Sequence, residues 1–158
     1  MLIHGVTGAV GSVGVQLARE IGARVIGTGR AAARESATDL GVDTFIDLEN
    51  ERLEDIGQVD LVFDVIGGEL LERSAALVRP GGSLVTITLP TNVRPEDGRS
   101  VFFVVEPDRI RLADLMQRVR DGRLKPAIGA VHPLSEAPAE LQPGRRARGK
   151  TIIRPDRH

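Results

Sequence analysis

The chain has 158 residues, of which 41% are hydrophobic and 27% charged, with 21 basic and 22 acidic side chains for a net charge of −1. That is the balance of one soluble domain, long enough to bury a core without staples. It gives no reason to expect nucleic acid or a membrane as partner. The absence of Cys, Trp and Tyr excludes disulfides, a thiol nucleophile, a Cys-ligated zinc site and a tyrosine proton donor. No apolar run approaches the ~18 residues of a membrane span, and no charged leader precedes the first apolar stretch, so a cytoplasmic location is expected.

Hydrophobic periodicity predicts strands and helices in alternation. A strand over 1–4 leads to a helix over 12–21 that stops at Gly22. A strand over 24–28, a helix over 31–40 and a strand over 44–47 follow. Residues 49–57 are acidic and read as a loop or short helix. The apolar run VDLVFDVI predicts a strand over 59–66, as in a parallel sheet covered on both faces. A helix over 69–78, a Pro80-Gly81-Gly82 turn, a strand over 83–89 and a polar loop over 90–100 come next. VFFVV predicts a strand over 101–105, followed by a helix over 107–121 with Ile110, Leu112, Leu115, Met116 and Val119 as its apolar set. The chain ends with an extended stretch over 127–134, a short helix capped by Ser135 and a strand over 150–154. The implied fold is α/β: a doubly wound Rossmann sheet of about six parallel strands with helices on both faces, in one dinucleotide-binding domain over 1–158.

HGVTGAVGSVGVQLA places Gly5, Gly8, Gly11 and Gly14 between the first strand and the first helix. A dinucleotide site needs glycines there, for a tight turn and for close backbone approach to a pyrophosphate on helix N-terminal amides. This glycine loop is the candidate nucleotide-binding turn. The match to G-x-G-x-x-G is imperfect, since its first glycine falls on Val6. No G-K-[ST] follows, which excludes a Walker A loop. At the end of the second strand, an NAD site places Asp or Glu on the ribose. Here Gly29 and Arg30 stand instead. Gly leaves room for a 2′-phosphate and a guanidinium holds it bidentately, which favours NADPH over NADH. Arg34 is a second candidate.

These segments, with DLVFDVIGG, LVRPGGSLVTI, FFVVEPD, GRLKPAIGAVHPLSEA and RGKTIIR in order, resemble the cofactor-binding domain of the zinc-independent medium-chain dehydrogenase/reductases, the quinone oxidoreductase-like branch. The resemblance implies that Thr7, Gly8, Ala9, Val10 and Gly11 bind the pyrophosphate and that Val65, Ile66 and Gly67 lie beside the cofactor's ribose and middle. It also implies that Thr88, Leu89, Phe103 and Val104 approach the nicotinamide, and that Arg148 and Lys150 reach back towards the cofactor. It implies hydride transfer from NADPH to a quinone or an α,β-unsaturated carbonyl. Full members carry a separate catalytic barrel, expected to be missing because Met1 falls on the first strand. EAPAELQPGRRARGK, with Pro138 and Pro143, looks shorter than the family's helix.

Other readings remain. TGxxGxxG also suits an atypical short-chain reductase, whose Tyr-Lys catalysis is impossible without Tyr. A methyltransferase would want an acid where Gly29 and Arg30 stand. A non-catalytic NADPH-binding module or a subunit of a split enzyme fits a chain without its substrate domain. The catalytic residue is unassigned. His4 reads as a core or loop-anchoring residue, His132 as structural and His158 as terminal, and no metal-ligand spacing occurs. The apolar strands VFFVV and AIGAVHPL are candidate edges for a homodimer.

Overall fold

The computed structural model describes residues 1–140 and 149–155. It divides into two compact units, Met1–Leu124 and Lys125–His158.

In the first unit, β1 (Leu2–Ile3), β2 (Ile26–Gly29), β3 (Thr44–Asp47), β4 (Val59–Asp64), β5 (Val78–Thr86) and β6 (Arg99–Phe102) form one sheet. Its order is β3-β2-β1-β4-β5-β6 and every adjacent pair is parallel. This is the doubly wound order of dinucleotide-binding folds. The helices are α1 (Gly11–Glu20), α2 (Arg34–Asp39), α3 (Glu69–Ala75) and α4 (Arg109–Arg120).

The two faces of the sheet follow from strand alternation. Leu2 pairs in register with Val62, and both enter a core with Leu53, Leu71, Ala75 and Leu84. Ile3, one residue on, faces the other way, into a core with Val6, Val15, Ala18, Val25 and Ala37. Helix α3 therefore covers one face, and α1 and α2 the other. Leu2, Ile3, Leu84 and Val62 are fully buried, and each such side chain stabilises the fold by roughly 1.5–3 kcal/mol.

Several boundaries differ from expectation for local reasons. Residues 31–40 split into a 3-10 turn, Ala31–Ala33, and α2. Helix α3 ends at Ala75, because the Leu77 carbonyl accepts the Val59 N–H and draws the chain into the sheet. Strand β5 consequently starts at Val78, and its Pro80–Gly82 segment shifts the register against β4 between Val59 and Leu61. Strand β6 occupies 99–102, not 101–105. Its ladder runs from Ser83↔Arg99 to Thr86↔Phe102, and Phe103 adds one last bond to the Thr86 carbonyl. It lies at the sheet edge, as VFFVV suggested. Helix α4 is capped by Asp108, whose Oδ1 accepts the Ile110 and Arg111 N–H groups at 2.9 and 3.0 Å. Its expected apolar set is not core: Ile110, Leu112 and Met116 are exposed. Ile110 and Leu112 stand about 200° apart around the helix, so no one face collects them.

The second unit holds a parallel pair, β7 (Ile128–Pro133) and β8 (Lys150–Arg154). A 3-10 turn, Leu134–Glu136, leads into α5 (Ala137–Glu140), so Ser135 lies inside that turn. His132 Nδ1 and Glu136 Oε2 are 3.0 Å apart.

Candidate functional site

Because the six strands are parallel, their C-terminal ends share one edge of the sheet. The C-terminal ends of β1, β2, β4, β5 and β6 and the segments that follow them carry Thr7–Gly11, Gly29–Arg30, Val65–Gly67, Thr88–Leu89 and Phe103–Val104 respectively. The chain winds outward through β1, β2 and β3, then returns to β4 on the other side of β1. That reversal opens a crevice between β1 and β4 in which such sheets bind ligands.

The glycine loop is built for this place. Gly5 adopts φ +63°, which L side chains rarely adopt. Its carbonyl accepts the Gly8 N–H at 2.9 Å, and the Gly8 carbonyl accepts Ser12 N–H at 3.0 Å. A Cβ on Gly11 would collide with the Gly5 carbonyl, so only glycine lets α1 start this close to β1. Gly8, Ala9 and Val10 are exposed. The first turn of α1 contains no acidic residue, which leaves its partial positive charge available to an anion. The loop meets the turn after β4: a Cβ on Gly5 would lie 3.3 Å from Ile66 Cδ1 and 3.4 Å from Val65 Cγ2.

At the end of β2 no carboxylate takes the ribose-binding position. The Arg30 side chain is 85% exposed and pairs with Glu49 at 3.7 Å. Arg34 is differently engaged. It donates to the Phe45 carbonyl at 3.1 Å and to Glu51 at 2.9 Å, with its guanidinium 5.1 Å from the centre of the Phe45 ring. Arg30 is thus the guanidinium turned to solvent.

Val65 and Ile66 fall beyond β4, not within it. Ile66, Leu89, Phe103 and Val104 are all exposed, which a buried-strand role does not explain. A cleft of about 200 Å³ is lined by Ile66, Gly67, Thr88 and Leu89, with Pro90 and Thr91 beside them. This is below the ~300–1,000 Å³ of a whole drug-sized ligand, and suits part of one. The segment from Phe103 to Arg111 surrounds a second hollow of about 630 Å³. Lys150 opens β8 in the second unit, and Arg148 lies outside the described residues.

Sequence reasoning missed the residues that hold this edge in shape. Asp64 is fully buried at the end of β4. Its Oδ1 accepts the N–H groups of Ile66 and Gly67 at 3.1 and 3.0 Å, and its Oδ2 accepts the Thr86 hydroxyl at 2.7 Å. Thr86 in turn contacts the Thr88 hydroxyl at 3.0 Å. The readable signal was an acid inside an apolar run just before Gly67-Gly68, the pattern of an aspartate bonding its own turn. His4 is the anchoring residue expected. Its Nδ1 lies 2.9 Å from Thr28 Oγ1 and its Nε2 2.7 Å from Ser74 Oγ. Burial pushes its pKa down to about 4, against a smaller upward pull from Asp64.

The profile of the family described as zinc-binding dehydrogenase matches residues 9–113. The spectinabilin polyketide synthase system protein NorB of Streptomyces orinoci is 33% identical over 175 residues, covering 97% of this chain and 8% of that protein. The 2-haloacrylate reductase of a Burkholderia species is 27% identical, covering 98% of this chain and 55% of the reductase. The structure of the quinone oxidoreductase from Coxiella burnetii superposes with a TM-score of 0.82 at 26% identity, covering 96% of this chain and 51% of that one. The chain spans about half the length of these two reductases, and a small part of the polyketide synthase protein.

The zinc of the family name finds no fit here. There is no Cys in the sequence, and no group of three or more His, Asp or Glu able to hold a metal occurs among the described residues. Nor is any described helix long and apolar enough to cross a membrane. By the profile match across most of its length and by its sheet order, the chain belongs to the zinc-binding dehydrogenase family, as the cofactor-binding domain of a medium-chain dehydrogenase/reductase.

Proposed function

We propose that this chain is the NADPH-binding domain of a zinc-independent oxidoreductase that reduces an α,β-unsaturated carbonyl or a quinone. One observation carries the cofactor choice: at the end of β2, on the edge that bears the glycine loop, a solvent-facing Arg30 follows Gly29 where an NAD site needs a carboxylate. Thr7–Gly11 and the first turn of α1 hold the pyrophosphate through backbone N–H groups. Gly29 admits the 2′-phosphate and Arg30 neutralises it. The turn at Val65–Gly67 and the exposed side chains of Leu89, Phe103 and Val104 border the nicotinamide half. When bound, NADPH supplies the hydride. We assign the accompanying proton to none of the described side chains. The names of the relatives, a quinone oxidoreductase and a haloacrylate reductase, support the substrate class.

The identity to a polyketide synthase protein favours a second reading, in which the unsaturated carbonyl is an acyl thioester. A homodimer through the β6 edge accompanies either reading. The test is fluorescence titration of the chain with NADPH and NADH. Preference for NADPH supports the assignment; equal affinities, or none, refute it. Oxidation of NADPH with a quinone against an unsaturated acyl thioester then separates the substrates. Tight binding without turnover on either favours a binding module.

A further inference from the structure

The hydroxyl groups beside the 200 Å³ cleft have a fixed direction. Asp64 is surrounded by donors: the backbone N–H groups of Ile66 and Gly67 and the Thr86 hydroxyl. A carboxylate only accepts, so the one proton of Thr86 Oγ1 points at Asp64 Oδ2, 2.7 Å away. Thr86 Oγ1 is then left with lone pairs alone. It accepts the Thr88 N–H at 3.3 Å, and its 3.0 Å contact with Thr88 Oγ1 requires Thr88 to be the donor. The Thr88 hydroxyl proton is therefore directed inward, and its lone pairs remain for the cleft that Thr88 lines. The direction of each bond follows from the donors that converge on Asp64. Gly67 also lies close against Thr88, since a Cβ there would come within 2.8 Å of its Oγ1.

We propose that Thr88 is a specificity-determining residue whose hydroxyl, oriented through Thr86 by Asp64, accepts a hydrogen bond from the bound ligand and selects a carboxamide N–H over groups that only accept. The inference rests on the cofactor reading above and deepens it. The carboxamide is the only part of the nicotinamide ring system that carries an N–H donor, and a group that only accepts would meet Thr88 lone pair to lone pair.

The test uses three ligands on the whole chain: NADPH, its 3-acetylpyridine analogue in reduced form, and 2′-phospho-ADP-ribose. The analogue keeps the carbonyl and both riboses but has no N–H to donate. The third ligand lacks the ring altogether. The unmodified chain is expected to bind NADPH roughly five- to tenfold more tightly than the analogue, the value of one hydrogen bond. Thr88→Val is expected to abolish that ratio, and Thr88→Ser to keep it. Thr86→Val is expected to reduce it, because the Thr88 proton is then free to turn outward. The affinity for 2′-phospho-ADP-ribose should stay constant throughout, which also shows that the variants fold. Equal binding of NADPH and the analogue by the unmodified chain overturns the proposal, as does a ratio that survives Thr88→Val. In both cases retained 2′-phospho-ADP-ribose binding leaves the cofactor reading standing. If the unmodified chain binds none of the three, the cofactor reading falls and takes the proposal with it.

Discussion

The His4 imidazole and the Ser74 hydroxyl, 70 positions apart in sequence, meet at 2.7 Å inside the fold and tie the residue that follows β1 to α3. Ser74 donates its own proton to the Leu70 carbonyl at 2.6 Å, so it accepts from His4. His4 therefore carries its proton on Nε2 and accepts from Thr28 at Nδ1. Both ring nitrogens are satisfied in the neutral form.

A pH dependence follows. Burial lowers the His4 pKa from an ordinary 6.5 to about 4. Unfolded chains take up the proton first, so stability is full above pH 6.5 and falls as the pH drops towards 4. The loss amounts to roughly 3 kcal/mol. Asp43, held low by the Val25 N–H, and Glu51, held low by the Asp47 N–H, lose their contributions only at more acid pH. Urea unfolding at pH 7.5, 6, 5 and 4.5 checks this. His4→Asn should be less stable at pH 7.5 but nearly flat across the series. A wild-type curve as flat as the variant's would falsify the assignment.

The glycine loop is expected to be intolerant at one position above all. Gly11→Ala places a methyl group against the Gly5 carbonyl. Helix α1 must move away, at a cost of about 1–3 kcal/mol. Thermal unfolding should register the drop, and NADPH binding should weaken with it because the helix start no longer meets the loop. Gly22→Ala is the comparison. Its Cβ would meet nothing within 4 Å, so only its positive φ of +80° opposes the change, and it lies at the far end of α1.

What could be read in the sequence was whatever short-range chemistry decides. The glycine loop, the acid-free end of β2 and the alternation of strands and helices are local patterns, and the sheet carries them where expected. Strand ends are decided by partners elsewhere in the chain. VDLVFDVI reads as one strand, yet its ladder stops at Asp64, whose carboxylate captures the next amides. VFFVV reads as a strand, yet β6 starts at Arg99 because it pairs from Ser83 onward. The links from Asp64 to Thr86 and from His4 to Ser74 join residues 22 and 70 positions apart. No local pattern announces such pairs.

Helix α4 depends on its cap more than on its core. Asp108 accepts both the Ile110 and Arg111 N–H groups, and no residue of the helix is buried. Asp108→Ala should cost about 0.5–2 kcal/mol of local stability, and Asp108→Asn little. Hydrogen exchange of the first-turn amides measures it. Exchange unchanged by the Ala substitution would show that the cap is not limiting.

The two arginines after β2 should separate cleanly by function. Among the described residues Arg30 pairs only with the exposed Glu49, at 3.7 Å, so its guanidinium is available to a 2′-phosphate. Arg30→Ala should weaken NADPH binding by roughly 10–100-fold, the value of charged hydrogen bonds, and leave NADH unchanged. Glu49→Gln should strengthen NADPH binding by up to about fivefold, since it releases a surface ion pair that competes with the phosphate. Arg34 instead commits its donors to Glu51 and the Phe45 carbonyl while its guanidinium covers the Phe45 ring. Arg34→Ala should lower stability by about 1 kcal/mol and change the NADPH-to-NADH ratio little. Titration of the three variants with both cofactors, beside their unfolding curves, resolves the roles. If Arg34→Ala shifts the ratio and Arg30→Ala does not, the phosphate-binding role belongs to α2 and not to the end of β2.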